Sequence, residues 1–249
     1  MADKTLLVTG GSRGIGAETA RLAAGCGYTV CVNYRRDRDA AEAVVRDVRR
    51  AGPRAIAIQA DVSSERDVER LFATIDRDFG ALSALVNNAG ILETQARVEQ
   101  IDAARLARIF ATNVTGAFVC AREAVKRMST AHGGAGGAIV NVSSRAAVLG
   151  APGEYVDYAA SKGALDVLTV GLAREVAAEG IRVNGVRAGI IYTDIHASGG
   201  EPGRADRLGP TLPMKRGGHA VEVARAILWL LSDDASYTTG SFIDVSGGR

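Results

Sequence analysis

The chain has 249 residues, a formal net charge of +2 and 47% hydrophobic residues, values suited to a globular protein of one large or two modest domains. With 30 Lys and Arg against 28 Asp and Glu, it lacks the positive excess that drives binding to a phosphate backbone, which argues against a nucleic-acid partner. No apolar run approaches the roughly 20 residues that span a bilayer, and Met1 to Lys4 lead straight into Leu6, Leu7 and Val8 with no room for a signal peptide, so a cytoplasmic protein without a membrane partner is expected.

Apolar runs of about five residues alternate with longer stretches of helical period, the pattern of βα units around a parallel sheet. Thr5 to Thr9 is the first strand. It runs into Gly10, Gly11, Ser12, Arg13, Gly14, Ile15 and Gly16, and then into Ala17 to Ala24, a good helix former. A strand, a glycine turn and a helix in that order present backbone N–H groups and a helix N-terminus to a pyrophosphate. Gly10 permits the tight turn, Gly14 the approach of a ligand, and Gly16 the packing of helix on strand.

Further strands are expected at Thr29 to Asn33, Ala55 to Gln59, Ala84 to Asn87, Ala138 to Val142, Arg182 to Val186 and Phe242 to Val245, making seven in all. Between the second and third, Ala41, Val44, Val45 and Val48 recur at helical spacing, with Arg46, Asp47, Arg49 and Arg50 on the solvated face. Ser64 with Asp67 forms the signature of a capping box, and Gly180 closes the helix that carries Tyr158. His132 to Gly137 is a glycine-rich loop, and neither an internal repeat nor a domain boundary interrupts residues 1–249. The rhythm breaks at Ile195 to Gly218, where Pro202, Pro210 and Pro213 mix with glycines. Its place after the sixth strand makes residues 190–218 a candidate lid over the carboxyl edge of the sheet. Cys26, Cys31 and Cys120 are odd in number and lie in apolar segments, which argues against a disulfide framework. His132, His196 and His219 are scattered, with no metal-ligand spacing, and no metal is expected. Met128, Trp229 and Phe242 read as core or subunit contact, and His196 as an ordinary exposed histidine or, alternatively, as facing substrate from the lid.

The Thr9-Gly10 turn with Gly14 and Gly16, then Asn87-Asn88-Ala89-Gly90, Asn113, Ser144, and Tyr158 four residues before Lys162 follow one another along nearly the whole chain. This order resembles the short-chain dehydrogenase/reductase family. The resemblance implies one three-layer, doubly wound Rossmann-like α/β domain with a seven-stranded parallel sheet, binding a nicotinamide dinucleotide. Tyr158 is then the general acid and base for a carbonyl or secondary alcohol, Lys162 lowers its pKa and holds the nicotinamide ribose, Ser144 orients the substrate oxygen, and Asn113 holds a water linking Lys162 to solvent. The spacing supports the pair physically, because residues four apart share a helix face. A charge about 5 Å from the phenol at an effective dielectric of about 20 contributes roughly 3 kcal/mol, or roughly two pKa units. Cofactor contacts by the same resemblance are Gly10, Ser12, Arg13, Gly14, Ile15, Gly16, Tyr34, Arg35, Asp61, Val62, Asn88, Ala89, Gly90, Gly189, Ile191 and Thr193, together with Tyr158 and Lys162.

The choice of cofactor is a question of charge at the end of the second strand, where a carboxylate bonds the ribose of NAD and repels a 2′-phosphate. Asn33, Tyr34, Arg35 and Arg36 stand there instead, and Arg35 with Arg13 offers forked donors to a phosphate. NADP(H) is therefore preferred, with NAD(H) as the alternative. Tyr155, Arg145, Leu149 and Glu154 border the substrate, and Ala188 replaces the family's usual proline before Gly189, which loosens the base of the lid. The substrate is a small carbonyl or alcohol. Sugars and 3-oxoacyl carrier proteins are the candidates, with Glu179 standing against an acidic carrier. A non-catalytic NADPH sensor is the competing class. The family resemblance also implies a homotetramer built on the Asn113 and Tyr158 helices and on Ser241 to Arg249.

Overall fold

Every strand of the main sheet is parallel, in the order Ala55–Gln59, Tyr28–Tyr34, Lys4–Val8, Leu82–Asn87, Gly137–Ser144, Ile181–Ala188 and Phe242–Val245, in a computed structural model that describes residues 4–249. The sequence reading of residues 1–3 lies outside that range. The elements are β1 (Lys4–Val8), α1 (Gly14–Ala24), β2 (Tyr28–Tyr34), α2 (Arg38–Arg50), β3 (Ala55–Gln59), α3 (Glu65–Phe79) and β4 (Leu82–Asn87). There follow α4 (Ala103–Phe110), α5 (Gly116–Met128), β5 (Gly137–Ser144), α6 (Ala146–Leu149), α7 (Val156–Val176) and β6 (Ile181–Ala188). The chain closes with β7 (Ile191–Tyr192), α8 (Ile195–Ser198), α9 (Arg204–Leu208), β8 (Gly218–His219), α10 (Ala220–Leu231) and β9 (Phe242–Val245). All seven expected strands are present, each within two residues of the expected ends.

Parallel strands covered on both faces are apolar throughout, and alternate residues feed opposite layers. Leu6 and Val8 of β1 join Val30, Val32 and Val140 beneath Ala20, Val44 and Ile227. Leu7 between them joins Cys31, Leu85 and Ile139 beneath Leu71, Phe72, Cys120 and Met128. Cys31 and Cys120 are the small buried residues expected of reduced thiols, whereas Cys26 is exposed. Its apolar neighbours misled the sequence reading: it sits in the turn after α1. Met128 is core, Trp229 is 43% exposed, and Phe242 is partly buried with the Arg187 guanidinium 3.9 Å above its ring.

Local signals explain the helix ends. Asp37 caps α2 through Ala40 N, and Ser64 caps α3 through Asp67 N. The capping box is only half formed, because the Asp67 carboxylate turns to Asp61 N at 3.0 Å. After α7 a short turn ends at Gly180, whose φ of 77° is left-handed and suits glycine. Between α4 and α5 the helix continues through a π-helical turn at Ala111–Thr115. Residues 195–218 are more ordered than their composition indicates: α8 and α9 lie there, and β7 pairs with β8 at Ile191↔Gly218. Just before this segment, Ala188 is paired with Ser144 and Val245, its carbonyl accepting from Arg145 N at 2.9 Å. Among the described residues, no helix is long and apolar enough to cross a membrane.

Candidate active site

After β3 the chain returns to place β4 against the other side of β1, and the crevice at such a reversal is where α/β sheets bind ligands. A cleft of about 570 Å³ opens there. It is lined by Gly10, Ser12, Arg13, Gly14, Ile15, Tyr34, Arg35, Asp61, Val62, Asn88, Ala89 and Gly90 at one end. Ser144, Tyr158, Lys162, Gly189, Ile191 and Thr193 line the other. Of the expected site residues, Gly16 and Asn113 alone stand behind the cleft wall.

The glycine turn is built by its neighbours. Thr9 Oγ1 accepts from Asn88 N at 3.0 Å and Ala89 N at 3.1 Å, fastening β1 to β4. Asn88 Nδ2 donates to the carbonyls of Thr9 and Gly10, both at 2.9 Å, and Asn33 Oδ1 accepts from Gly10 N at 3.2 Å. Gly10 has φ +59°, and a Cβ there would lie 2.9 Å from Ala89 Cα. A Cβ on Gly16 would lie 2.5 Å from Asn88 Nδ2 and 2.7 Å from Gly10 O, so this glycine makes room for the turn itself, in place of the helix–strand packing inferred from sequence. The N-cap of α1, Arg13, makes no side-chain hydrogen bond to the helix, and the first turn carries no acid. Free N–H groups and the positive end of the helix dipole therefore face the cleft, and these fit the pyrophosphate of a dinucleotide.

At the end of β2 no carboxylate of that strand faces the cleft. Arg35 Nε instead pairs with Asp61 Oδ2 at 2.7 Å. Burial raises the Asp61 pKa, but hydrogen bonds from Ser63 and the Arg35 guanidinium outweigh it and hold the carboxyl below its ordinary range. Arg13 and Arg36, both exposed, make no ion pair among the described residues. Arg36, which the sequence places beside Arg35 without a cofactor role, also lines the cleft.

At the other end, Lys162 Nζ lies 5.7 Å from the centre of the Tyr158 ring and donates to Val142 O at 2.7 Å. Burial pushes the Tyr158 phenol up to about 12, against a hydrogen bond with Ser144, and pushes the Lys162 ammonium down to about 8. The sequence argument expected the phenol to fall. Its direction is reversed because the walls that bring the two groups together also strip water from both. Ser144 Oγ accepts from Ala146 N at 3.1 Å and faces the tyrosine, whereas Ser143 is 2% exposed and turns towards Lys162 O.

Asn113 is 1% exposed, in the π-helical turn. Its Oδ1 accepts from Ile91 N at 2.8 Å, and its Nδ2 donates to Ile91 O and Ser161 Oγ, both at 3.0 Å. Ser161 Oγ in turn donates to Tyr158 O at 2.7 Å. Leu149, Glu154 and Tyr155 line this end of the cleft, with Arg145 tied to Asp244 at 2.5 Å. Two residues of the 195–218 segment join them. His196 is 8% exposed and lines the cleft, so of its two sequence readings that of an exposed histidine fails. Arg204 is 5% exposed and pairs with Glu154 at 2.5 Å, 50 residues away, which no local sequence signal reveals.

A family model described as Enoyl-(Acyl carrier protein) reductase matches residues 10–249. A solved variant of the Serratia marcescens short-chain dehydrogenase/reductase superposes with a TM-score of 0.90 at 34% identity, over 98% of this chain and 97% of its own. The chain belongs to the short-chain dehydrogenase/reductase family. Among similar members, the Escherichia coli protein termed Uncharacterized oxidoreductase YgfF is 63% identical over 243 residues, 98% of each chain. The 3-oxoacyl-[acyl-carrier-protein] reductase FabG of Staphylococcus epidermidis is 36% identical over 246 residues, 99% of this chain and 98% of its own. Membership makes this short-chain dehydrogenase/reductase an oxidoreductase and implies a nicotinamide cofactor.

Proposed function

We propose that this oxidoreductase transfers hydride between NADP(H) and the carbon of a small carbonyl or secondary alcohol, with Tyr158 as the acid and base. The observation that carries the reading is the meeting of Tyr158, Lys162 and Ser144 with the uncapped N-terminus of α1 in one cleft. The cofactor supplies the hydride. In reduction, Tyr158 Oη gives its proton to the substrate oxygen while Ser144 Oγ holds that oxygen in place. A phenol near 12 stays protonated at working pH, which suits the reducing direction. The Lys162 ammonium, 5.7 Å from the ring, stabilises the tyrosinate that forms and bonds the nicotinamide ribose.

Asn113 serves the relay from behind. A Cβ at Gly90 would lie 3.5 Å from both Asn113 Oδ1 and Lys162 Nζ, and that space takes the water that passes a proton to the lysine. Gly10, Ser12, Gly14 and Ile15 cradle the pyrophosphate, Asp61 and Val62 flank the adenine, and Asn88, Ala89, Gly90, Gly189, Ile191 and Thr193 line the path to the nicotinamide. Gly16 contributes by shaping the turn. Arg13 and Arg35, with Arg36 beside them, favour NADPH over NADH by pairing with the 2′-phosphate. The single domain spans residues 1–249, with its lid at 190–218, and acts in the cytoplasm.

A homotetramer is proposed as the working form. Its support is the apolar outer face of α7, where Val156 and Val167 are 37% and 74% exposed, and of α5, where Phe118 is 49% exposed. A Cβ on Gly163 or Gly171 would meet nothing within 4 Å, which leaves room for a second helix. Light scattering reporting a stable monomer at micromolar concentration would refute it.

The function is tested by following NADPH oxidation with sugars, diketones, aldehydes and 3-oxoacyl thioesters in the wild type and in Tyr158→Phe. The variant should bind NADPH normally and lose turnover by about a hundredfold or more. Turnover retained in the variant, or tighter binding of NADH than NADPH, overturns the corresponding part of the reading.

A further inference from the structure

His196, at the start of the lid, holds a lone pair that nothing among the described residues uses. Its Nε2 lies 2.9 Å from Ile191 O. A carbonyl oxygen only accepts, so Nε2 carries the hydrogen, and in the neutral ring Nδ1 is left as an acceptor. That Nδ1 is buried and has no hydrogen-bond partner among the described residues. A buried acceptor without a donor is unusual in a folded protein, and a ligand that brings a donor removes its cost.

The neighbouring donors are already committed. Tyr155 Oη donates to Gly199 O at 3.1 Å. Arg204 Nη1 donates to Glu154 at 3.1 Å and Glu201 at 2.9 Å, and its Nη2 to Glu154 at 2.5 Å. Because Glu154 is neutralised by that arginine, a neutral donor is a better match than an ammonium. His196 shares the cleft with Tyr158 and Ser144. Burial also holds its imidazole below the ordinary range, against the hydrogen bond to Ile191 and despite Glu201, and so keeps it the neutral acceptor.

Resting on the oxidoreductase reading, we propose that His196 is a specificity residue whose Nδ1 accepts a hydrogen bond from a hydroxyl on the substrate. The preferred substrates are hydroxylated ketones or aldehydes and the diols or polyols they form, in preference to plain acyl chains. Ile191 thereby acquires a second role, since its carbonyl fixes the tautomer that makes Nδ1 an acceptor.

A matched series of hydroxyketones and their deoxy counterparts tests this with NADPH. Wild type should favour the best hydroxylated member by about tenfold in kcat/KM. His196→Gln can keep the bond to Ile191 but offers no acceptor at the Nδ1 position. It should erase the preference by raising KM for the hydroxylated member to that of its deoxy counterpart. His196→Asn, whose amide overlays Nδ1 and can present its oxygen, should restore part of it. A wild type indifferent to the hydroxyl, or equal losses on both members of a pair, overturns the role of His196 alone. Failure of the wild type to reduce any ketone in the series, with NADPH bound, overturns the oxidoreductase reading and this assignment with it.

Discussion

Lys162→Met should make the protein inactive and more stable. Folding carries the ammonium from water into a site where it is 5% exposed, and its pKa falls from 10.5 to about 8, with burial as the leading cause and Asp166 opposing it. That displacement corresponds to about 3 kcal/mol of destabilisation at neutral pH. The substitution removes this cost but also the 2.7 Å bond to Val142 O, whose loss costs about 1 kcal/mol. A net gain of about 2 kcal/mol remains, or about 4 to 8 °C in Tm for a chain of this size. Between pH 8 and 10.5 the unfolded lysine binds more proton than the folded one, so wild-type stability rises with pH across that window. The advantage of the variant should shrink accordingly and reverse by about 1 kcal/mol above the upper limit, where only the lost hydrogen bond remains. Thermal unfolding without cofactor, at one protein concentration and at pH 7 and 11, measures both values. A variant less stable than wild type at pH 7, or a difference that does not change with pH, refutes the reasoning.

Arg35→Ser should raise the Kd for NADPH by about tenfold and leave that for NADH unchanged, as read by cofactor fluorescence titration; equal weakening of both contradicts phosphate pairing. Gly16→Ala places a Cβ 2.7 Å from the fixed carbonyl of Gly10, so it should lower stability by about 1 to 3 kcal/mol in urea unfolding and weaken both cofactors alike. Asp157→Asn breaks the Arg105 pair, where the two side chains are 11% and 1% exposed. Thermal unfolding should register a loss of about 3 kcal/mol or more, because the arginine is left buried and unpaired. Turnover should fall as well, since Asp157 Oδ1 also accepts from Tyr158 N at 2.9 Å.

Strand interiors were legible because β1 and its neighbours are apolar on both faces. Their ends were less so: Lys4 and Gly137 belong to strands through backbone pairing alone, with Tyr28 and Ile181. Residues 195–218 look irregular in sequence because α8 and α9 have 4 and 5 residues, too few to show a helical period. Local spacing also failed at Ser64 and Asp67, where a nearby backbone N–H outcompeted the box. At the site, sequence spacing placed Tyr158 and Lys162 together but carried no information on how much water would be left around them. Desolvation depends on how the rest of the chain closes around the pair, and it set the direction of both pKa changes. The pairing of Arg204 with Glu154 was hidden for the same reason.

The π-helical turn at Ala111–Thr115 also constrains how this chain tolerates change in length. A π-helical turn holds one residue more than an α-helical turn, so removing one residue there lets the helix close into regular α-helix with α4 and α5 nearly unrotated. Arg105, on α4, would keep its place opposite Asp157, whereas Asn113, within the turn, would lose its register with Ile91. A single-codon deletion would thus displace Asn113 and spare the buried ion pair. Shortening elsewhere, in the loop at residues 132–137, would involve neither.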